Sequence, residues 1–435
     1  PPPPAGCRCD PGVVARLMAA APRAIAMGGG LLPTAGKVIQ VLSREGVDGL
    51  KRRYGAVRAA IAAGGTGQPA PQVIDVTVEP QALPAPQSAP AVASHPDADG
   101  SAVWRGLYET ALHAALGDRS VHYAPRRQVP PRKDGSDVKV VAFYLPQFHL
   151  FPENEAWWGA GFNEWTNVTK AQPVFVGHEQ PKLPADLGFY DLTAPGVMGR
   201  QADLAKAYGV DGFCFHFYWF GGKRLMEQPL LNWLGDASID LPFMLCWANE
   251  NWTRRWDGAE HDLLIGQQHS PEDDEAFLRH VAQYMRDPRY IRIDGKPALV
   301  VYRPSLLPDP AATLQRWRRL AEGELGLGGL HLIATNSFGF GDYGTLGFDA
   351  LVEFPPHGVV TGRMNDAKQL LTDRYSGIIY SYPDVVARAQ VAPDTPGRIY
   401  PAAFPAWDNT ARRPVGGNIF ADATPALFRD WLETC

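Results

Sequence analysis

Nothing in the 435-residue chain reaches 18 consecutive apolar positions, which leaves no candidate transmembrane helix. No charge of one sign dominates: 41 Lys and Arg face 46 Asp and Glu, a formal net charge of −5. A nucleic-acid-binding protein needs a basic footprint that this balance does not supply, so no nucleic-acid partner is expected. Cysteine is scarce. Of the five, Cys214 and Cys246 lie inside apolar strand-like runs, where buried free thiols are expected, and Cys7-x-Cys9 has too few partners for a zinc site. That usage excludes a disulfide scaffold and fits a reducing compartment. The chain has no P-loop, no H-E-x-x-H and no G-x-S-x-G, so neither metal nor cofactor is expected. No signal peptide is visible. The chain opens Pro-Pro-Pro-Pro without Met, however, so its native start is expected upstream and this absence excludes nothing.

Tryptophan is abundant, with 12 in the chain, and three of them fall in WANENWTRRWDG at 247–258, directly behind the apolar run LPFMLCWAN. Indole faces stack on the apolar C–H faces of sugar rings, while Asn, Glu and Arg hold hydroxyls. Carboxylates ringed by tryptophan at a strand end are what glycosidic chemistry needs. The plainer reading is a hydrophobic cluster with a surface ion pair; three Trp and an Asn-Glu pair within twelve residues favour the carbohydrate site.

Three segments are expected. Residues 1–63 form a basic, Ala/Gly-rich helical segment, with Val38, Val41, Leu42 and Leu50 at helical spacing beside Lys51, Arg52 and Arg53. Such a helix is either simply solvated or a peripheral contact with an acidic membrane surface, and the expected location is cytoplasmic, at most peripheral to the inner face of the membrane. Residues 64–137 form a Pro/Ala-rich linker, disordered through 103, with a short helix at 104–117. From 138 to 435 apolar runs of strand length alternate with helical periodicity. The runs are 139–148, 209–219, 241–249, 296–304, 330–337, 348–355 and 398–409; the helices are 196–208, 225–236, 271–286, 309–322, 381–390 and 422–433. This alternation predicts parallel βαβ units buried on both faces. Polar and aromatic residues crowd the end of nearly every run, which favours an α/β fold of the (β/α)8 TIM-barrel type over an open sheet with one switch point. With seven strands counted, the barrel is expected to be cut after its seventh strand and helix.

The candidate site residues follow from those ends. From the first run and its loop come Tyr144, Gln147, His149, Trp157, Trp158, Glu164 and Trp165; from the second, His216, Tyr218 and Trp219. The Trp-rich cluster supplies Asn249, Glu250, Trp252, Arg254, Trp256 and Asp257; later runs supply Glu353, His357, Trp407 and Asp408. Glycosidic chemistry uses two carboxylates, and Glu250 and Glu353 are the catalytic candidates, with the others as substrate binders.

The segments YLPQFH, ENEAWWGAGFNEWTNVTKAQPVF, HEQPKLPADLGFYDL, YGVDGFCFHFYWFGGKRLMEQPL, CWANENWTRRWDG, DPRYIRIDGKPALVVYRPSLLPD and LVEFPPHG resemble the bacterial WbsX-like glycosyltransferase family, also described as a glycoside hydrolase family 99-like domain. The resemblance runs from about Val138 to Cys435. It implies a glycosidase-type barrel that builds lipopolysaccharide O-antigen or another surface polysaccharide, acting on a sugar or glycan that is nucleotide- or lipid-linked, within a multidomain polysaccharide-synthesis protein. An endo-acting glycoside hydrolase and a non-catalytic sugar-binding module remain as alternatives. The related endo-mannosidases carry their catalytic glutamates in an Asn-Glu-Trp-x-Glu-Gly motif near the end of the barrel. This sequence has no such motif, and Asn163-Glu164-Trp165 matches only its first half, in the first loop. The catalytic role is therefore not carried onto Glu164, and the motif is expected on the eighth strand.

Overall fold

The computed structural model describes residues 98–116, 123, 125, 138–254, 259–337, 343–359, 361–389 and 397–435. All of them lie in the compact unit His95–Cys435. The expected basic segment 1–63, with Cys7 and Cys9, and residues 64–97 and 126–137 of the expected linker lie outside the described residues, as do Trp256, Asp257 and the side chain of Arg254.

Helix α1 (Ala98–Ala115) starts earlier than the sequence predicts, within the expected linker. The seven predicted runs then form one parallel sheet: β1 (Val141–Tyr144), β2 (Gly212–Phe220), β4 (Phe243–Trp247), β8 (Lys296–Val301), β9 (His331–Asn336), β10 (Ala350–Glu353) and β12 (Ile399–Tyr400). Their spatial order is their chain order throughout. A doubly wound sheet reverses direction at a switch point; this one never does, so every right-handed crossover falls on the same side and the sheet curls. The curl is measurable. On a flat sheet β1 and β10 would stand roughly 24 Å apart, five spacings of about 4.8 Å. The rings of Phe143, on β1, and Phe354, just past β10, have centroids 4.7 Å apart. The fold is α/β, with seven parallel strands in a curled half-barrel.

The helices form where the sequence supplies both a cap and an apolar stripe. Three starts use the same device, a side-chain cap followed by Pro at the first helical position: Ser270 before α6 (Pro271–Met285), Asp309 before α7 (Pro310–Glu322) and Thr424 before α9 (Pro425–Leu432). Also predicted are α4 (Val197–Ala207), α5 (Glu227–Gly235) and α8 (Tyr382–Ala389). Two helices in the first loop were not predicted: α2 (Pro152–Trp158) and α3 (Glu164–Lys170). Each is a turn or two long, too short for periodicity, although the Asn163/Thr166 capping box marks the start of α3.

Short antiparallel additions decorate the sheet. β3 (Lys223–Leu225) folds back on β2 through Gly221-Gly222, where both φ angles are positive, as a two-residue hairpin with right-handed strand twist requires. β7 (Arg292–Ile293) pairs with β8, and β5 (Trp252–Arg254) with β6 (Ala259–Ile265). A separate small sheet has the order β11 (Ile379–Ser381), β14 (Ile419–Ala421), β13 (Trp407–Asp408). Here the last predicted run is corrected: 398–409 is not one strand. It breaks after Tyr400, where Pro401 and Pro405 cannot donate to a ladder, and Trp407-Asp408 pair with β14 instead.

The main core lies between the convex face of the sheet and the helices. Phe213, Phe215, Phe217, Phe243, Leu245 and Trp247 meet Trp233, Phe277 and Trp317 there. Trp247 stacks on Phe277 with centroids 4.4 Å apart, and both are fully buried. Among the described residues no helix is long and apolar enough to cross a membrane. Truncating the central ring, Phe277→Ala, is expected to cost about 3–5 kcal/mol of stability, read as a shift in the urea midpoint; a loss below about 1 kcal/mol would mean the core is not organised around this stack.

Candidate functional site

Alternation along β2 decides which side chains reach the concave face. Phe213, Phe215, Phe217 and Trp219 point to the helices; Cys214, His216 and Tyr218 point inward. The same count on neighbouring strands brings Phe143, Cys246, Tyr302 and Phe354 inward, and ring contacts confirm the convergence. His216 lies 5.9 Å from Phe143, 6.4 Å from Tyr218, 6.4 Å from Tyr302 and 6.2 Å from Phe354, centroid to centroid. These rings come from four strands and make an aromatic floor at the carboxyl ends of the sheet.

Two polar walls rise from it. On one side the Gln147 amide donates to the Tyr218 hydroxyl at 3.2 Å, and Arg412 Nη2 donates to Gln147 Oε1 at 2.7 Å. Arg412 also pairs with Glu164: Nε donates to Oε2 at 3.1 Å, and Nη2 lies 3.0 Å from Oε1 in the same ion pair. On the other side Glu250 accepts from Arg303. Tyr302 and His357 Nε2 are hydrogen-bonded at 3.0 Å, and burial pushes the His357 imidazole below its ordinary range. Between the walls stands Trp252, edge-on to Tyr218 at 5.2 Å and to Trp157 at 5.6 Å. Trp158 lies farther along the same loop, 5.9 Å from Phe162.

Other candidates are placed elsewhere. Trp219 is on the convex side, its indole N–H bonded to Asp273 at 2.8 Å. Tyr144 also faces outward and donates to Gln201 in α4. Glu353 follows the same alternation: Val352 and Phe354 point inward, so its carboxylate points out and accepts the Ala402 backbone N–H at 3.0 Å. The predicted catalytic pair Glu250 and Glu353 therefore lies on opposite faces of the sheet. Asn249 is fully buried, and its amide is spent on the Arg303 backbone, donating to its O at 2.9 Å and accepting from its N at 2.7 Å. It pins the end of β8 rather than meeting a ligand. His149 is buried against Phe151, and Trp165 is packed among Phe148, Phe189 and Tyr190.

Asp408 belongs to a cluster of its own. It accepts from His178 Nε2 at 2.8 Å, from Gln180, and from the Thr410 backbone N–H at 2.9 Å. Burial opposes its charge, but these bonds outweigh burial and hold its pKa near 2. Trp407 beside it is exposed. The sequence reading missed Tyr302, Phe143 and Phe354 as floor residues. Tyr302 was legible: it is the next inward position after Ala298 and Val300. Arg303 stood in a quoted motif and Arg412 in none, and only the fold shows which carboxylates they hold.

Among the described residues no group of three or more His, Cys, Asp or Glu is arranged to hold a metal ion. A cleft of about 420 Å3 lined by Thr193, Pro195, Asn232 and Asp236 lies in the outer helical layer and shares no residue with the aromatic floor.

Burial, reinforced by the Arg412 charge, pushes His216 down to about 4. Its unfolded value is about 6.5. Between those values the unfolded chain binds the extra proton, so stability falls as pH falls from about 6.5 to about 4 and is insensitive to this group above that window. His280, also near 4 through burial and Arg224, acts with the same sign. The expected slope is at most about 1.4 kcal/mol per pH unit per histidine. His216→Gln should flatten the profile in urea titrations at pH 4.5 and 7; an unchanged slope would place the imidazole in water.

Residues 140–435 match the family described as Glycosyltransferase WbsX. The protein WxcX of Xanthomonas campestris pv. campestris strain B100 is 50% identical over 319 residues, covering 73% of this chain and 45% of its own length. WxcX of strain ATCC 33913 is 50% identical over 293 residues, covering 67% of this chain and 42% of its own length. The chain thus spans about half the length of the curated relatives it matches. Among solved structures, a glycoside hydrolase-like protein aligns at a TM-score of 0.44 and 14% identity, over 72% of this chain and 83% of that one. An endo-α-mannosidase of glycoside hydrolase family 99 from Bacteroides thetaiotaomicron aligns at 0.40 and 15%, over 68% and 81%. Matched over more than half of its length, this chain belongs to the WbsX glycosyltransferase family.

Proposed function

We propose that the concave face is a sugar site and that the protein transfers glycosyl units in building a bacterial surface polysaccharide such as lipopolysaccharide O-antigen. One observation carries this reading. Rings from four strands form a floor between two walls whose carboxylates, Glu164 and Glu250, are each held by an arginine. Indole and phenol rings meet the apolar faces of a pyranose, and fixed carboxylates and amides accept from its hydroxyls. A carboxylate that accepts from a guanidinium is suited to binding or charge stabilisation rather than to proton donation. The described part of the site therefore reads as the sugar-binding face, with Glu250 as its leading candidate for assisting the reaction. His357 and the Tyr302 hydroxyl serve as further polar anchors on the same wall.

In this reading the seven strands are most of a (β/α)8 barrel, with an eighth strand pairing to β12 and β1, the edges of the present sheet. Chain-order strand placement and the Phe143–Phe354 contact support it, because both are what a closing barrel requires.

The test is to offer the protein nucleotide-linked sugars, lipid-linked sugars and intact polysaccharide. Transfer from an activated donor is expected, with Glu250→Gln and Trp252→Ala each lowering the rate about tenfold or more. Consumption of intact polysaccharide alone would replace transfer by endo-hydrolysis. Binding without turnover would leave a sugar-recognition module.

A further inference from the structure

Arg412 is remote in sequence from everything it touches at the mouth. Its partners Gln147 and Glu164 belong to the first strand and its loop, 265 and 248 residues away. It joins both members of that wall: its Nε donates to one Glu164 oxygen, its Nη2 lies 3.0 Å from the other, and Nη2 also donates to Gln147. Gln147 in turn orients the Tyr218 hydroxyl on the floor. A planar fork can hold two carboxylate oxygens at once, which an ammonium cannot do in a fixed geometry.

The turn that presents Arg412 is itself locked. Asp408 accepts from the Thr410 backbone and hydroxyl, and His178 and Gln180 bond to Asp408 from the far side. Arg413 N–H bonds to Asn409 O at 2.9 Å and Gly417 N–H to Arg413 O at 2.7 Å. Little free space remains around this turn: a Cβ built on Gly417 would come within 2.7 Å of the Asn409 and Arg413 backbones. Asp408, which the sequence reading took for a sugar contact, therefore braces the loop that carries Arg412.

We propose that Arg412 is a positioning residue of the sugar site, and that the Asp408–His178–Gln180 cluster sets its place. It acts through Glu164, Gln147 and Tyr218, fixing the hydroxyl acceptors of one wall, so that this wall exists only while the small sheet carrying β13 and β14 is docked. The proposal rests on reading the concave face as a sugar site, and its test separates the two.

Three variants of the 435-residue chain, Arg412→Lys, Arg412→Gln and Asp408→Asn, are compared with the parent by hydrogen exchange, by NMR titration of His216 and by saturation-transfer NMR with gluco-, manno- and rhamno-configured methyl pyranosides. The groups facing His216 are Tyr218, Cys246, Tyr302 and Arg412, so only the Arg412→Gln variant removes a charge from its surroundings. Amides of α3 should exchange faster in all three variants. The His216 midpoint should rise in Arg412→Gln and hold in Arg412→Lys. Pyranoside affinity should fall about tenfold in Arg412→Lys despite its retained charge. Unchanged α3 protection with parental affinity in Arg412→Gln would overturn the proposal. If the parent takes up no pyranoside while α3 loosens and His216 shifts as stated, the sugar reading fails and Arg412 stands as the organiser of the wall. Should Arg412→Gln not fold, Arg412→Lys and Asp408→Asn decide alone, through α3 exchange and affinity.

Discussion

Strand β2 is buried on both of its faces, and the other strands are arranged around that burial. Its outward residues are aromatic and seat α5 and α6 through Trp233 and Phe277; its inward residues are Cys214, His216 and Tyr218. A strand of this kind cannot slip by one residue without exchanging the two sets, which would put an imidazole and a phenol hydroxyl into the apolar layer and leave phenylalanines at the mouth. The same two-residue period, carried across in-register parallel neighbours, decides for each strand end whether a polar residue meets the concavity or the helices. Glu353 and Trp219 lose access on that count alone; Tyr302 gains it.

The curl of the sheet turns this alternation into a site. Inward side chains on a flat sheet would lie in rows, each meeting only its neighbours. Bent until Phe143 touches Phe354, the sheet brings residues from its first, second, fourth and sixth strands around one imidazole. That imidazole is kept uncharged by the burial this produces and by a guanidinium contributed from far along the chain. The polar groups above the floor are held in pairs, Glu164 with Arg412 and Glu250 with Arg303, which leaves the carboxylates fixed as acceptors. Fixed acceptors over apolar rings suit a rigid, hydroxylated ligand, since little ordering remains to be done when it binds.

Supporting residues account for much of what surrounds the mouth. Asn249, from the most distinctive motif in the sequence, satisfies the backbone of Arg303 and so places the guanidinium that holds Glu250. Asp408 does the equivalent for the opposite wall through the turn bearing Arg412. Both read in isolation as ligand groups, because a polar side chain near a strand end looks the same in sequence whether it faces a substrate or a neighbouring backbone.

The sequence by itself determined where the seven parallel strands begin, the longer helices between them, the capped starts at Ser270, Asp309 and Thr424, and membership in a carbohydrate-active family, because each is written in local periodicity, cap chemistry or contiguous motifs. It also placed His216, Tyr218, Gln147 and Glu250 at strand ends. Only the tertiary structure decided which of the candidates share a face, because facing depends on register between strands that are tens of residues apart. It alone joined Arg412 to Glu164, closed Trp165 and His149 into packing, and moved Trp407 and Asp408 into a second sheet whose two- and three-residue strands carry no period to read. The physical reason is one of range: propensity and alternation act within a segment, whereas a guanidinium finds its carboxylate only after the sheet has curled.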